Sequence, residues 1–171
     1  INVGTLVSFD STKNSMVSSK NLEIIIEDGK IKELGRNLNA ADDIYDCMNK
    51  LLTPGFVDCH THPVFFEDRS SEFEMRIGGL SYDEIAKNGG GINSSISSLR
   101  SSSEKKLKKR IQIRMDNFLK LGTTTIEAKS GYGLNLENEL KSLKVLNELN
   151  STHPIDIVST FMGAHAIPIE Y

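Results

Sequence analysis

Hydrophobic and polar positions change their rhythm near residue 53. Before it, the spacing has the period of two that belongs to strands. Asn21 to Glu27 is rich in β-branched residues, Asp28-Gly29 follows, and Lys30 to Leu34 alternates polar and apolar. Two such runs around Asp-Gly predict a tight hairpin, because that turn needs positive φ. Residues 1–52 therefore read as a small antiparallel sheet. Thr53-Pro54-Gly55 punctuates the chain.

Beyond Gly55, short apolar runs alternate with helical patterns. The runs are Phe56 to His60, Thr123 to Lys129 and Ile155 to Phe161. Ahead of the second run, Leu107, Ile111, Met115 and Phe118 form a helical stripe; ahead of the third, Leu136, Leu140, Leu143 and Leu146 do the same. Ser101 with Glu104 fits a capping box for the first of these helices, and Gly122 fits its C-terminal glycine. Strand, helix, strand, helix, strand predicts an α/β fold with parallel pairing and right-handed crossovers. Ser94 to Ser103 reads as a polar loop leading to the cap. The basic run Lys105 to Arg110 reads as the solvated face of the helix. Gly89-Gly90-Gly91 is not a phosphate loop, since no Gly-Lys-Ser/Thr follows it.

Composition narrows the function classes. The 171 residues are 38% hydrophobic, enough for a core of one domain or slightly more. A net charge of −3 argues against nucleic acid or an anionic membrane as the partner. No apolar stretch approaches the roughly 18 residues of a membrane span. Cys47 and Cys59 are too few for a disulfide scaffold and suit a reducing cytoplasm. The chain opens on Ile1, and no basic start with an apolar run suggests a signal peptide.

The chemistry concentrates where the runs end. In Val57-Asp58-Cys59-His60-Thr61-His62, strand parity puts Asp58, His60 and His62 on one face and Cys59 on the other. Two imidazoles about 7 Å apart at Cα can share one metal ion. Cys59 is expected to be a small buried apolar residue, not a co-ligand. Two ligands do not complete a catalytic zinc site. His165, in Gly163-Ala164-His165-Ala166, follows the third run and is a third ligand, a general acid or a substrate partner. His153, before Pro154, is expected at the surface without a function. Glu127 and Lys129 share a face, either as an inward ion pair or with Lys129 carboxylated and bridging metals. Tyr132 lies between Gly131 and Gly133, which let the loop turn sharply. Arg69 suits a substrate carboxylate, or else pairs with Glu67 or Glu72.

Together these segments carry a resemblance. Pro54-Gly55-Phe56-Val57-Asp58-Cys59-His60-Thr61-His62 resembles the metal-binding strand of the amidohydrolase superfamily. Asp68-Arg69 with Glu72-Phe73-Glu74-Met75-Arg76, then Gly89-Gly90-Gly91-Ile92, Glu127 to Leu134, and Gly163 to Pro168 narrow the resemblance to the imidazolonepropionase family. It implies a (β/α)8 TIM barrel beside a small β-sandwich, with residues 1–52 part of the sandwich and 53–171 about the first three βα units. It also implies hydrolysis of 4-imidazolone-5-propanoate to N-formimidoyl-L-glutamate in histidine degradation, with one divalent metal, zinc or iron, activating water. His60 and His62 would hold that metal. Arg69 would hold the substrate carboxylate, Tyr132, His165 and Tyr82 would contact the substrate, and His165 is the candidate catalytic residue. A cytoplasmic homodimer, with no nucleic acid or membrane partner, is the implied setting. Such a barrel needs about 250 residues. The chain is therefore expected to be an incomplete part of a longer enzyme, with the remaining metal ligands and the proton-transfer residue after Tyr171. Another cyclic amidohydrolase or a deaminase, or an inactive fragment, is the competing expectation.

Overall fold

Asp28 and Gly29 take φ values of 51° and 73°, the left-handed pair a two-residue hairpin turn demands. They join β2 (Ser15–Glu27) to β3 (Lys30–Gly35), with Ile26 opposite Ile31 and Glu27 opposite Lys30. The structure is a computed structural model that describes residues 1–39, 42–87, 89–168 and 170–171. β1 (Val3–Asp10) pairs antiparallel with β2. Their connection is set by the Asp10 carboxylate, which accepts the Thr12 N–H at 2.9 Å and the Thr12 hydroxyl at 2.6 Å. A short β4 (Leu51–Leu52) then joins β1 in parallel, giving the order β3-β2-β1-β4. The sheet is therefore mixed and not purely antiparallel. The Gly4 N–H donates to the Lys50 carbonyl at 3.0 Å and draws the returning chain alongside β1 in the same direction.

The chain divides into two compact units, Ile1–Pro54 and Gly55–Tyr171. In the first, Val3 is the one buried apolar residue among those described, while Phe9, Met16, Ile26, Ile31 and Leu34 are half exposed or more. A single layer of four strands has nothing to press these side chains against. The core belongs to the second unit.

There β5 (Phe56–Thr61), β6 (Thr123–Lys129) and β7 (Asp156–Thr160) run parallel in the order β5-β6-β7. Helices α1 (Ser70–Ile77), α2 (Tyr82–Lys87), α3 (Ile92–Ser101) and α4 (Glu104–Lys120) lie in sequence between β5 and β6, and α5 (Leu136–Thr152) joins β6 to β7. Leu107, Ile111 and Met115 of α4 are fully buried with Ile126 of β6 and Leu146 of α5. The α4 stripe thus packs as its spacing predicts, and Gly122 after it turns at φ 92°. Among the described residues no helix is long and apolar enough to cross a membrane.

Three local expectations are corrected. The serine-rich stretch is not a loop: it is α3 up to Ser101, whose hydroxyl donates back to the Ser97 carbonyl at 2.9 Å. The cap of α4 is Ser103, not Ser101, and it accepts the Lys106 N–H. In α5 the predicted stripe is rotated. Leu136 and Leu140 are 77% and 55% exposed, and the buried face carries Asn138, Glu139, Ser142, Val145, Leu146 and Leu149. Helical spacing fits both faces. The polar members of the buried one are tolerated because each finds a partner, Ser142 donating to the Asn138 carbonyl at 2.8 Å.

Lys141, also on α5, donates to the last carbonyls of α3, Leu99 at 2.9 Å and Ser102 at 3.0 Å. Lys141→Met keeps the aliphatic stem but removes the ammonium donor, leaving the Leu99 carbonyl only the Ser102 N–H and hydroxyl. The substitution is expected to cost about 1–2 kcal/mol in urea denaturation; an unchanged midpoint would show that the bonds contribute nothing.

Candidate functional site

The parallel register brings three strand ends level: Thr61 stands opposite Ala128, and Lys129 opposite Thr160. Loops at the carboxyl ends of parallel strands are where α/β sheets build sites. Thr61 is 7% exposed, its hydroxyl donating to the Glu127 carbonyl at 2.6 Å and its N–H reaching the Glu127 carboxylate at 3.4 Å. Thr61 turns inward between His60 and His62, whose ring centroids lie 5.3 Å apart, and the register of β5 against β6 shifts just before it, between Asp58 and Thr61. His62 stacks on His165 at 5.1 Å and approaches Tyr132 at 6.1 Å, while Tyr132 and His165 are 5.3 Å apart. Rings from the ends of β5, β6 and β7 thus form one cluster. Tyr132 also packs against the hydrophobic core.

The electrostatics suit a neutral His62. Burial first, then the His165 and His60 imidazoles and the Lys129 ammonium, hold its pKa below the usual imidazole range, with Glu127 pulling the other way. Among the described residues its buried Nδ1 finds no hydrogen-bond partner. Neutral imidazole is the form that ligates metals. Of the alternatives for Lys129, the ion pair is realised: its ammonium contacts the Glu127 carboxylate. Burial raises the Glu127 pKa, but hydrogen bonds from Lys129, the Thr160 hydroxyl and the Thr61 N–H outweigh it, so the net shift is downward.

Arg69 and Tyr82 belong to a second group. The Arg69 Nε stands 3.7 Å from Glu72 Oε2, and the other oxygen of Glu72 accepts the Gly91 N–H at 2.8 Å. Tyr82 begins α2 and is 59% exposed; its hydroxyl lies beside Gly91, 3.4 Å from where a Cβ would be. This group joins two of the motif segments, Asp68 to Arg76 and Gly89 to Ile92. Among the described residues, no hydrogen bond, ion pair or ring contact joins it to the four rings.

Two expectations about the remaining residues fail. Cys59 is exposed, not buried. Unbroken parity would put it on the covered side with Thr61, but the register of β5 against β6 shifts between Asp58 and Thr61, so simple alternation does not hold across Cys59. His153 is not a surface residue: its side chain is 5% exposed. Its Nδ1 accepts the Ile155 N–H at 3.2 Å, so its Nε2 carries the proton and donates to Asp116 at 3.2 Å. It caps the turn from α5 to β7.

Three supporting residues escape motif reading. Arg114 of α4 donates to the Pro63 carbonyl at 3.1 Å and the Phe65 carbonyl at 2.6 Å, and its guanidinium lies 3.4 Å from the Phe65 ring centroid. Burial brings its pKa down to about 10. It fixes the stretch just after His62. The Ser130 hydroxyl, fully buried, accepts the Met162 N–H at 3.0 Å and so ties the Tyr132 loop to the His165 loop. The Glu139 carboxylate, 2% exposed, accepts the N–H groups of Gly133 and Leu134, both at 2.8 Å, and of Gly131 at 3.0 Å. The only hint of Glu139 in the sequence is a charged residue on a helix that must bury a face.

No protein-family model matches the chain. It is 49% identical over 157 residues to the imidazolonepropionase of Brevibacillus brevis, covering 86% of this chain and 37% of that protein. The imidazolonepropionases of Clostridium tetani and Fusobacterium nucleatum are 44% and 45% identical, covering 95% and 99% of this chain but 41% and 44% of those proteins. The chain thus spans about two fifths of the length of these relatives. In structure it is similar to a guanine deaminase from C. acetobutylicum with bound guanine, at a TM-score of 0.52 and 20% identity, over 91% of this chain and 34% of that one. That likeness speaks to the fold alone.

Proposed function

Because the chain belongs to the imidazolonepropionase family, we propose that it is the N-terminal portion of an enzyme that hydrolyses 4-imidazolone-5-propanoate to N-formimidoyl-L-glutamate. In this reading residues 1–52 are part of a β-sandwich, and 53–171 supply the first three βα units of a (β/α)8 barrel completed by the rest of the enzyme. The observation that carries it is the convergence of His60, His62, Tyr132 and His165 at the ends of three parallel strands, the end at which barrel enzymes place their sites.

His60 and His62 would hold a divalent ion, zinc or iron. The residues fit one: the imidazoles are adjacent, and His62 has a buried nitrogen with no other partner. Among the described residues no group of three or more candidate ligands forms, and a catalytic zinc takes three protein ligands and water; the others would come from later strands. When bound, the ion supplies the Lewis acidity that makes water a nucleophile at neutral pH.

Residues of this chain do the rest of the work assigned to it. The Arg69 guanidinium, held by Glu72, binds the propanoate carboxylate. Tyr132 and Tyr82 contact the substrate. His165, whose Nδ1 donates to the Gly131 carbonyl at 2.9 Å, presents its unprotonated Nε2 to the substrate, as an acceptor for a substrate N–H and a base able to take up a proton there. A small molecule is the partner the reaction needs, and a cytoplasmic homodimer is the setting the family resemblance suggests.

The test is an assay of the full-length enzyme on imidazolonepropanoate and, in parallel, on guanine. Formation of N-formimidoylglutamate with no release of ammonia from guanine is expected. The opposite pattern would assign the site to deamination.

A further inference from the structure

Among the described residues the Glu139 carboxylate has no counter-ion; its partners are three backbone N–H groups of the loop that carries Tyr132. Charge-assisted bonds of this kind are roughly twice as strong as neutral ones. The loop is shaped to make them. Gly131 has φ 108° and Leu134 φ 50°, and the left-handed backbone at Leu134 is strained for an L-residue. Gly133 sits so close to α5 that a Cβ would lie 2.7 Å from the Glu139 nitrogen. The strain and the tight approach serve one end, which is to aim successive N–H groups at a single carboxylate.

Gly131 is the hinge of the arrangement. Its N–H is held by Glu139, and its carbonyl faces the His165 Nδ1 at 2.9 Å. A carbonyl only accepts, so Nδ1 carries the proton and Nε2 is left free. We propose that Glu139 is a positioning residue that sets the tautomer and aim of His165 and the seat of Tyr132 through the backbone of Gly131. The consequence for catalysis rests on the function proposed above, whereas the tautomer does not.

Glu139→Gln tests this selectively. The amide oxygen can keep Gly133 and Leu134, but Gly131 is left only its longer 3.2 Å approach to that oxygen, and the amide nitrogen meets its N–H donor to donor. With 15N-labelled histidine rings in the zinc-loaded full-length protein, His165 is expected to pass from a single Nδ1–H form to a mixture of tautomers. Exchange of the Gly131 amide should quicken at least about tenfold, while far-UV circular dichroism stays native. Turnover of imidazolonepropanoate should fall about 10–100-fold, the usual effect of losing an outer-shell partner. Glu139→Asp, which keeps two acceptor oxygens, should recover part of both signals. An unchanged His165 spectrum in Glu139→Gln would overturn the proposal, whatever the activity. Absence of any hydrolysis by the unmodified enzyme would overturn the proposed function and leave the ring spectrum to decide this one. If Glu139→Gln does not fold, the unmodified protein decides: Gly131, Gly133 and Leu134 must exchange as slowly as the amides of β6, with His165 in the Nδ1–H form. Fast exchange, or an Nε2–H ring, would reject the assignment.

Discussion

His62→Ala in the full-length enzyme is expected to remove stoichiometric metal and to lower hydrolysis of imidazolonepropanoate by about 1,000-fold or more, read by metal analysis and turnover. The size follows from the charge stabilisation of several kcal/mol that a bound ion contributes, at 1.36 kcal/mol per decade of rate. Position explains why this side chain is the vulnerable one. His62 touches three other rings, and its Nδ1 has no protein partner to compete with a ligand. Burial first, then the neighbouring imidazoles and the Lys129 ammonium, already favour its neutral form, so binding displaces few protons at neutral pH. Cys59→Ala supplies the contrast. Cys59 is exposed and is not one of the clustered rings, and its loss should leave metal content and turnover as they were. Equal loss from the two substitutions would mean that Cys59 takes part in the site.

What could be read from the chain before folding was whatever depends on near neighbours. The hairpin at Asp28-Gly29, the three strand runs and the shared face of His60 and His62 follow from backbone periodicity and turn chemistry, which act over a few residues. Cys59 shows the limit: parity assumes unbroken pairing, and the register shift between Asp58 and Thr61, which leaves Cys59 exposed while Thr61 is buried, is not written in the period of the sequence. The same limit applies to α5, where one spacing admits two stripes. Packing against Ile126 and Leu107 selects the one with Val145 and Leu149, leaving Leu136 exposed. The serine cap moved from Ser101 to Ser103 because α3 already claims Ser101. Arg69 shows a different kind of partial reading. Its acidic neighbours announce an ion pair, yet only the fold reveals that Glu72 also grips Gly91. Glu139 was invisible for a physical reason. Its partners are backbone N–H groups, which every non-proline residue has, so no residue-type motif can encode them.

Gly131→Ala is the substitution expected to disturb both fold and site. At φ 108° an L side chain is strained, and strain of this kind costs about 1–3 kcal/mol. The added Cβ would also stand 2.9 Å from the Met162 carbonyl oxygen and 3.0 Å from the His165 Cβ. Both belong to the loop after β7, so relief of the clash must push His165 away from its 2.9 Å bond to the Gly131 carbonyl. With the overpacking added, stability is expected to fall by about 2–4 kcal/mol in urea denaturation. Gly29→Ala provides the comparison, since Gly29 has φ 73° with open space around it. It carries the backbone strain without the collision, far from the rings in the chain. If Gly29→Ala and Gly131→Ala cost the same and both leave turnover intact, close packing of His165 on Gly131 has no functional weight. If only Gly131→Ala loses turnover, beyond what its stability loss explains, then the bare Cα of Gly131 is what allows the strand-end loops of β6 and β7 to meet, and with them Tyr132 and His165.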